Sequence, residues 1–389
     1  MTRLHSFGRM LFAIFGLLSF VAIKTTNASD KAIQNDLIAW VRSKGGSFSD
    51  KIEIRRVDPE NPNSYMGVFV REPVAAKESL FVVPRECYIH VFDTALVNHD
   101  EEDEDSIMET YFGNLCQLAT KLMGEMKLGK ESESAPYIAY LQTQKAGQLP
   151  VHWSPQGKEL MRKVATPGSS MVDWIDWNFK GEKYECINTF TKEGDSNISF
   201  EEHMVEMTIQ RCYDTALIPI WDMVNHDNGR INTENDSMYE PEGMKVRASR
   251  DLEAGEELFA SYDKCLDCGD LNEYWGTPEI LKDFGFVENY PHRWIYGQET
   301  IWIEAYEDED VPFITWFSEE EGAPPSDEQL DFLKKEVARL EAISLEEQGA
   351  IGDWEWYTIQ KYRQAAIDDL TEVVEWYTEL KAEEANEEL

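Results

Sequence analysis

The stretch ALIPIWDMVNHDNG, residues 216–229, carries an apolar run into Asp222 and then presents Asn225 and His226 just ahead of a turn. A second apolar stretch, EELFASYD, reaches Tyr262 near its end. Asn brings an amide with both donors and an acceptor, His one donor and one acceptor when neutral, and Tyr a hydroxyl that does both. At the ends of apolar strands such groups suit two roles. One is a capped turn that satisfies the local backbone. The other is a polar site that holds an amino-acid-like ligand. The spacing alone leaves both open. No G-x-S-x-G elbow, G-x-G-x-x-G loop, P-loop or H-E-x-x-H pair accompanies these residues. The seven histidines show no metal-ligand spacing.

The elements around these residues follow from periodicity. Residues 31–45 pattern as an amphipathic helix, with Ile33, Leu37, Trp40 and Val41 on one face and Gly45-Gly46 closing it. Between 52 and 92 come four short strand patterns, IEIRRV, MGVFVRE, SLFVVP and CYIHV, separated by turn residues. The acid block DEEDED at 100–105 marks a loop. Helical spacing then runs to about residue 206, including SPQGKELMRKVA with its Ser-Pro start signal. The aromatics of SMVDWIDWNF read as core packing. Strand patterns return over 214–262, and the chain is helical from Ser326 onward. The order lacks the regular alternation of a βαβ sheet. It predicts an α+β fold in which a β-rich domain is split by a helical insert.

Composition bounds the function. A chain of 389 residues, 42% hydrophobic and with 12 Trp, folds into a sizeable core. Acids number 75 against 36 Lys and Arg, for a net charge of −39. That balance opposes nucleic-acid binding through phosphates. It suits a basic protein partner, solubility or divalent cations. Arg3 and Arg9 precede an apolar run at 10–23, shorter than the ~20 residues of a membrane span. Thr26 and Ala28 then supply small residues at a cut site, so residues 1–28 read as a secretory signal peptide with no stable span after cleavage. The expected address is the secretory pathway, in the ER lumen or outside the cell; a plastid reached by the same route stays open. Cysteines 87, 116, 186, 212, 265 and 268 permit disulfides without fixing them. Cys265-x-x-Cys268 has no second pair to complete a zinc site, so no metal is expected. Asn197 and Asn235 head glycosylation sequons.

Five segments in order carry a resemblance: WVRSKGG, SYMGVFVREPVAAKESLFVVPRE, SAPYIAYLQTQKAGQLPVHWSPQGKELM, ALIPIWDMVNHDNGRINT and LEAGEELFASYD with ILKDFGFVE. Together they resemble the SET-domain protein methyltransferases of the Rubisco-lysine and actin-histidine type, over roughly residues 33–292. After the signal-peptide segment (1–28), the resemblance and the periodicity together divide the chain into a first SET half (29–95), a helical insert (96–205), a second SET half (206–292) and a C-terminal helical region (293–389). The resemblance implies S-adenosyl-L-methionine as cofactor and a protein substrate, with lysine and histidine both open as the acceptor.

The same resemblance places residues. Tyr262 matches the catalytic tyrosine. Asn225 and His226 match the pair that holds the cofactor, and Gly67 matches a glycine where backbone passes close to it. Glu78 and Leu80 match positions near the adenosine, Phe286 an aromatic against the adenine, and Arg211 an arginine that reaches the cofactor carboxylate. Trp221 lies where a substrate-pocket wall is expected. Tyr65 stands where the family has the first glycine of Gly-x-Gly. An inactive SET-fold binding protein, using its acidic surface to hold a basic partner, is the alternative reading.

Overall fold

A computed structural model describes residues 30–59, 61, 64–91, 104–165, 200–262, 276–296, 301–308, 311–317, 326–345 and 348–387. The signal-peptide segment, Asn197 and the Cys265–Cys268 pair lie outside the described residues.

Helix α1 (30–43) leads into β1 (Ser47–Phe48), β2 (Ile52–Arg56), β3 (Met66–Val70), β4 (Ser79–Val83) and β5 (Ile89–His90). The second set is β6 (Cys212–Tyr213), β7 (Ala216–Leu217), β8 (Asn225–His226), β9 (Thr233–Asn235), β10 (Met244–Ala248) and β11 (Phe259–Ala260). The two sets form one unit because they pair across the insert. β4 runs antiparallel to β10, with Val82 opposite Lys245, and β5 runs antiparallel to β7. In β10 the alternation of MKVRA turns Met244, Val246 and Ala248 inward. Arg247, facing out, takes Asp236 by two 2.6 Å bonds.

The insert packs by helical spacing. In α2 (Glu104–Leu128) the buried residues Leu115, Leu118, Leu122 and Met126 recur every three or four positions. α3 (Ala135–Leu141) buries Tyr137, Ile138, Tyr140 and Leu141. Both join the core that holds Phe81, Leu217 and Val246 of the strands. Next come α4 (Pro155–Val164) and α5 (Phe200–Arg211). The Ser154 hydroxyl caps α4 by accepting from Gly157 N–H, as the Ser-Pro signal predicts. Cys116 is disulfide-bonded to a partner outside the described residues. Cys87 and Cys212 are free thiols, and burial pushes them up to about 11 and about 12. Asn235 lies in β9, half-buried, with its amide donating to the Asp236 carbonyl.

Helix α6 (Thr277–Phe284) precedes a second core. The C-terminal helices are present as α7 (Asp327–Glu341) and α8 (Asp353–Glu387). The region from 293 onward is not helical throughout. It opens with an antiparallel sheet of β12 (His292–Tyr296), β13 (Ile301–Asp308) and β14 (Val311–Phe317). Here Trp294, Tyr296, Ile301, Ile303 and Ala305 are buried at alternate positions, the period of a strand. The first four pack in one core with Leu333 of α7 and Leu370 of α8. Among the described residues no helix is long and apolar enough to cross a membrane.

Candidate active site

The polar pair at the end of the apolar run ties three parts of the domain together. Before it, Ile220 takes a left-handed φ of 70°, rare for a β-branched residue, and Trp221–Met223 form a single 3₁₀ turn. The chain then enters β8, which pairs parallel with β11, Asn225 opposite Phe259 and His226 opposite Ala260. That register brings Tyr262 beside the pair. The Tyr262 N–H donates to His226 Nδ1 at 2.9 Å, and its hydroxyl donates to the Val224 carbonyl at 2.9 Å.

Asn225 reaches into the first half. Its Nδ2 donates to the Met66 carbonyl at 3.1 Å and to Glu257 Oε1 at 2.6 Å. Both amide hydrogens are thereby used, which fixes the amide orientation and leaves Oδ1 for an outside donor. Gly67 lies against the same group. A Cβ there would stand 2.4 Å from Glu257 Oε1 and 3.0 Å from Asn225 Nδ2. The space in front of Gly67 is therefore filled by these two side chains. Glu257 is half-buried, and desolvation raises its carboxyl pKa, opposed by the Asn225 hydrogen bond and the charges of Arg230 and Arg55. Tyr65 sits exposed next to this segment, and Glu257 adds to the raised pKa of its hydroxyl that desolvation begins.

Tyr262 is packed by rings. Phe284 lies 4.8 Å away between centroids and His226 5.1 Å, with Phe286 5.9 Å from His226. Desolvation raises the Tyr262 hydroxyl well above the usual phenol range, against the lowering charge of Arg211 and with the charge of Asp222 adding. At neutral pH it is a neutral hydroxyl. It can orient a partner, but it cannot serve as a phenolate base.

Beside it lies a network that only the insert completes. Arg211 Nη1 donates to the Tyr140 hydroxyl at 3.0 Å, the Asp222 carbonyl at 3.2 Å and Asp222 Oδ2 at 3.4 Å. Its Nη2 donates to Gln144 Oε1 at 2.5 Å, and the Tyr137 hydroxyl donates to Asp222 Oδ2 at 3.0 Å. Burial pushes the Asp222 carboxyl up to about 6, although Arg211 and Tyr137 favour its charge. Its Oδ1 is buried without a partner.

The structure thus brings Gly67, Asn225, His226, Tyr262 and Phe286 into one neighbourhood. Arg211, expected at a cofactor carboxylate, is instead held internally by Asp222, Tyr140 and Gln144. The Glu78 carboxylate pairs with Lys51 at 2.8 Å and accepts from Ala75 N–H at 3.2 Å, and Leu80 is a core side chain, 1% exposed. The first-half residues that border Asn225 are Met66 and Gly67. Trp221 is buried and sets its ring edge-on to Tyr213 at 5.9 Å. Sequence reasoning missed Glu257, Asp222, Tyr137, Tyr140 and Gln144. The i, i+3 spacing of Tyr137 and Tyr140 on one helix face was the available signal. Among the described residues no group of three or more His, Cys, Asp or Glu is placed to hold a metal.

The β-domain is thus split by the insert and carries the Asn225–His226 pair as β8. The profile of the SET domain matches residues 65–263, just over half of the 389, and the chain belongs to the SET-domain family. Its relatives include N-lysine methyltransferase setd6 of Danio rerio, 23% identical over 287 residues that cover 67% of this chain and 58% of that one. The protein of the same name from Salmo salar is 24% identical over 276 residues, 65% of this chain and 57% of its own. The chain thus spans less than three fifths of the length of these relatives. The solved SET domain of LSMT bound to lysine and AdoHcy aligns over 91% of this chain and 92% of that one, at 11% identity and a TM-score of 0.49.

Proposed function

We propose that this protein is an S-adenosylmethionine-dependent protein methyltransferase whose acceptor is a lysine side chain of a protein substrate. The observation that carries the reading is the placing of the Asn225–His226 pair beside Tyr262, which hydrogen-bonds to His226 and to the Val224 carbonyl and is a neutral hydroxyl. The residues fit an amino-acid-like ligand. Asn225 Oδ1 is the acceptor left over when both amide hydrogens are engaged, which suits an ammonium donor. When bound, the cofactor supplies an activated methyl group on a sulfonium centre.

The chain's own residues then do three things. Asn225 holds the ligand's amino-acid end, and the 64–67 backbone borders it. The aromatic group of Phe284, Phe286, His226 and Tyr262 keeps water away, which favours a neutral acceptor amine. Tyr262 aligns that amine through its oxygen lone pairs, since its proton is committed to the Val224 carbonyl. Alignment is the main lever for an in-line transfer.

The acidic surface supports a substrate with basic residues around the target. The apolar run at 10–23 and the Cys116 disulfide support entry into an oxidising, secretory compartment. The test is cofactor binding by calorimetry, joined to transfer of a labelled methyl group to lysate proteins with acid hydrolysis to identify the modified residue. Binding with methyl-lysine recovered supports the reading. Absence of both cofactor binding and transfer overturns it.

A further inference from the structure

One buried carboxylate stands behind the site and is not used by it. His226 Nδ1 accepts from the Tyr262 N–H, so the ring must carry its proton on Nε2. That Nε2–H meets Glu288 Oε1 at 2.7 Å. The two side chains are 1% and 3% exposed. The other oxygen, Oε2, accepts from the Thr277 hydroxyl at 2.9 Å, and Asn228 Nδ2 adds a long contact to Oε1 at 3.4 Å. The opposite tautomer would set a donor on Nδ1 against the Tyr262 N–H. It would also leave Nε2 as an acceptor facing a carboxylate.

Glu288 is itself anchored from the C-terminal region. Its backbone carbonyl lies 3.3 Å from His292 Nε2, and His292 Nδ1 lies 2.8 Å from Asp369 Oδ2 on α8. Trp294 Nε1 donates to the same Asp369 oxygen at 2.5 Å. Both His292 nitrogens face acceptors, so both must donate.

We infer that Glu288 is a positioning residue for the transfer reaction: its carboxylate selects the His226 tautomer that holds the Tyr262 backbone, and the Asp369–His292 pair of the C-terminal region holds Glu288 in place. The inference rests on the methyltransferase reading for its kinetic consequence, but its geometry does not. A carboxylate is suited to the task because it only accepts. It can take the His226 and Thr277 donors at once without competing orientations. An apolar side chain of similar length would leave the buried Nε2–H unpaired, and the ring would be free to turn. A glutamine keeps an oxygen for His226 and turns its amide toward Thr277, whose hydroxyl can rotate.

The experiment compares the full chain with Glu288→Leu and Glu288→Gln. The His226 ring is observed by ¹⁵N and ¹H NMR, with His226→Gln used only to assign its signals. Cofactor affinity and single-turnover transfer are measured on the same samples. In the wild type the Nε2–H proton should appear far downfield, as a charge-assisted bond requires. Glu288→Leu should lose that signal and lower the transfer rate by about 10–100-fold, the scale on which groups behind a functional histidine act. Its cofactor affinity should stay within about threefold, because Asn225 and the 64–67 backbone are untouched. Glu288→Gln should keep the proton, shift it upfield and restore most of the rate.

An unchanged tautomer and rate in folded Glu288→Leu would overturn the inference. So would a rate loss with the tautomer intact, since that marks a merely structural role. If the leucine variant does not fold, the glutamine variant decides: an Nε2–H signal at the wild-type position shows that Glu288 is not its acceptor. A wild type that transfers nothing yet shows the Glu288-dependent proton would refute the enzyme reading and leave the geometry standing.

Discussion

The Tyr262 hydroxyl donates to the backbone carbonyl of Val224, the residue just before Asn225. The phenol is thus oriented by the backbone that leads directly into the Asn–His pair. Tyr262→Phe should keep the ring packing against Phe284 and His226 while removing that bond. The expected loss falls on the transfer step, by ~10²-fold or more, as for other single positioned polar groups. Cofactor affinity should change little, and stability should fall by about 1 kcal/mol as the Val224 carbonyl loses its donor. Equal single-turnover rates in the two proteins would remove Tyr262 from the chemistry.

Asn225→Ala removes the amide that bridges Met66 and Glu257 and the oxygen left for the ligand. Cofactor binding should weaken by about 1–3 kcal/mol. Calorimetry on the folded variant checks this, with circular dichroism as the control. Unchanged affinity would move the ligand's amino-acid end away from Asn225.

Gly67→Ala tests how closely that group is packed. The added methyl would meet Glu257 and Asn225 inside contact distance. Overpacking of this kind costs about 1–3 kcal/mol. The midpoint of urea unfolding should drop, and cofactor affinity should drop with it, because the displaced side chains are those that orient the Asn225 amide. A variant as stable as the wild type would mean that β3 can shift freely at this point.

A pH dependence follows from His292. Burial alone would lower its pKa. The hydrogen bond and charge of Asp369, with the Glu288 charge and carbonyl adding, raise it above the usual 6.5. The folded state therefore binds the proton more tightly than the unfolded state. The resulting stability is fully present below pH 6.5 and is lost as pH rises through the raised folded value. Asp369→Asn should lower stability at pH 6 by about 1–3 kcal/mol and should flatten the decline above neutrality. Thermal unfolding of both proteins from pH 6 to 9 measures it. Parallel curves would show that His292 does not hold its proton through Asp369.

What could be read from the sequence divides along physical lines. The strands of both SET halves and the helices of the insert follow from local periodicity, which the core preserves. The neighbourhood of Gly67, Asn225, His226 and Tyr262 was legible because several segments stand in a fixed order. Glu257, Glu288 and Asp369 were not. They are three among 75 acids, and only the tertiary fold removes them from water and gives each a donor. Arg211 was singled out through the resemblance alone, and its partners are not local. Asp222 is 11 positions away, while Gln144 and Tyr140 come from the insert, 67 and 71 positions away. The alternating positions Trp294, Tyr296, Ile301, Ile303 and Ala305 of β12 and β13 carry a strand signal that the helical reading of this region overlooked.

The pairing of β4 with β10 has a consequence for how the protein is made. Val82 of β4 leaves the ribosome 163 residues (245 − 82) before Lys245, its partner in β10. At ~5–20 residues per second that interval lasts roughly 8–30 seconds. Throughout it, the edge of β4 that belongs to β10 is open to any passing strand. The insert is complete first, but α2 and α3 pack into the core that holds Leu217 and Val246, so their burial waits for the second half as well. The neighbourhood of Asn225, His226 and Tyr262 is therefore assembled late in translation, and a nascent chain stalled inside the insert would leave the β4 edge uncovered.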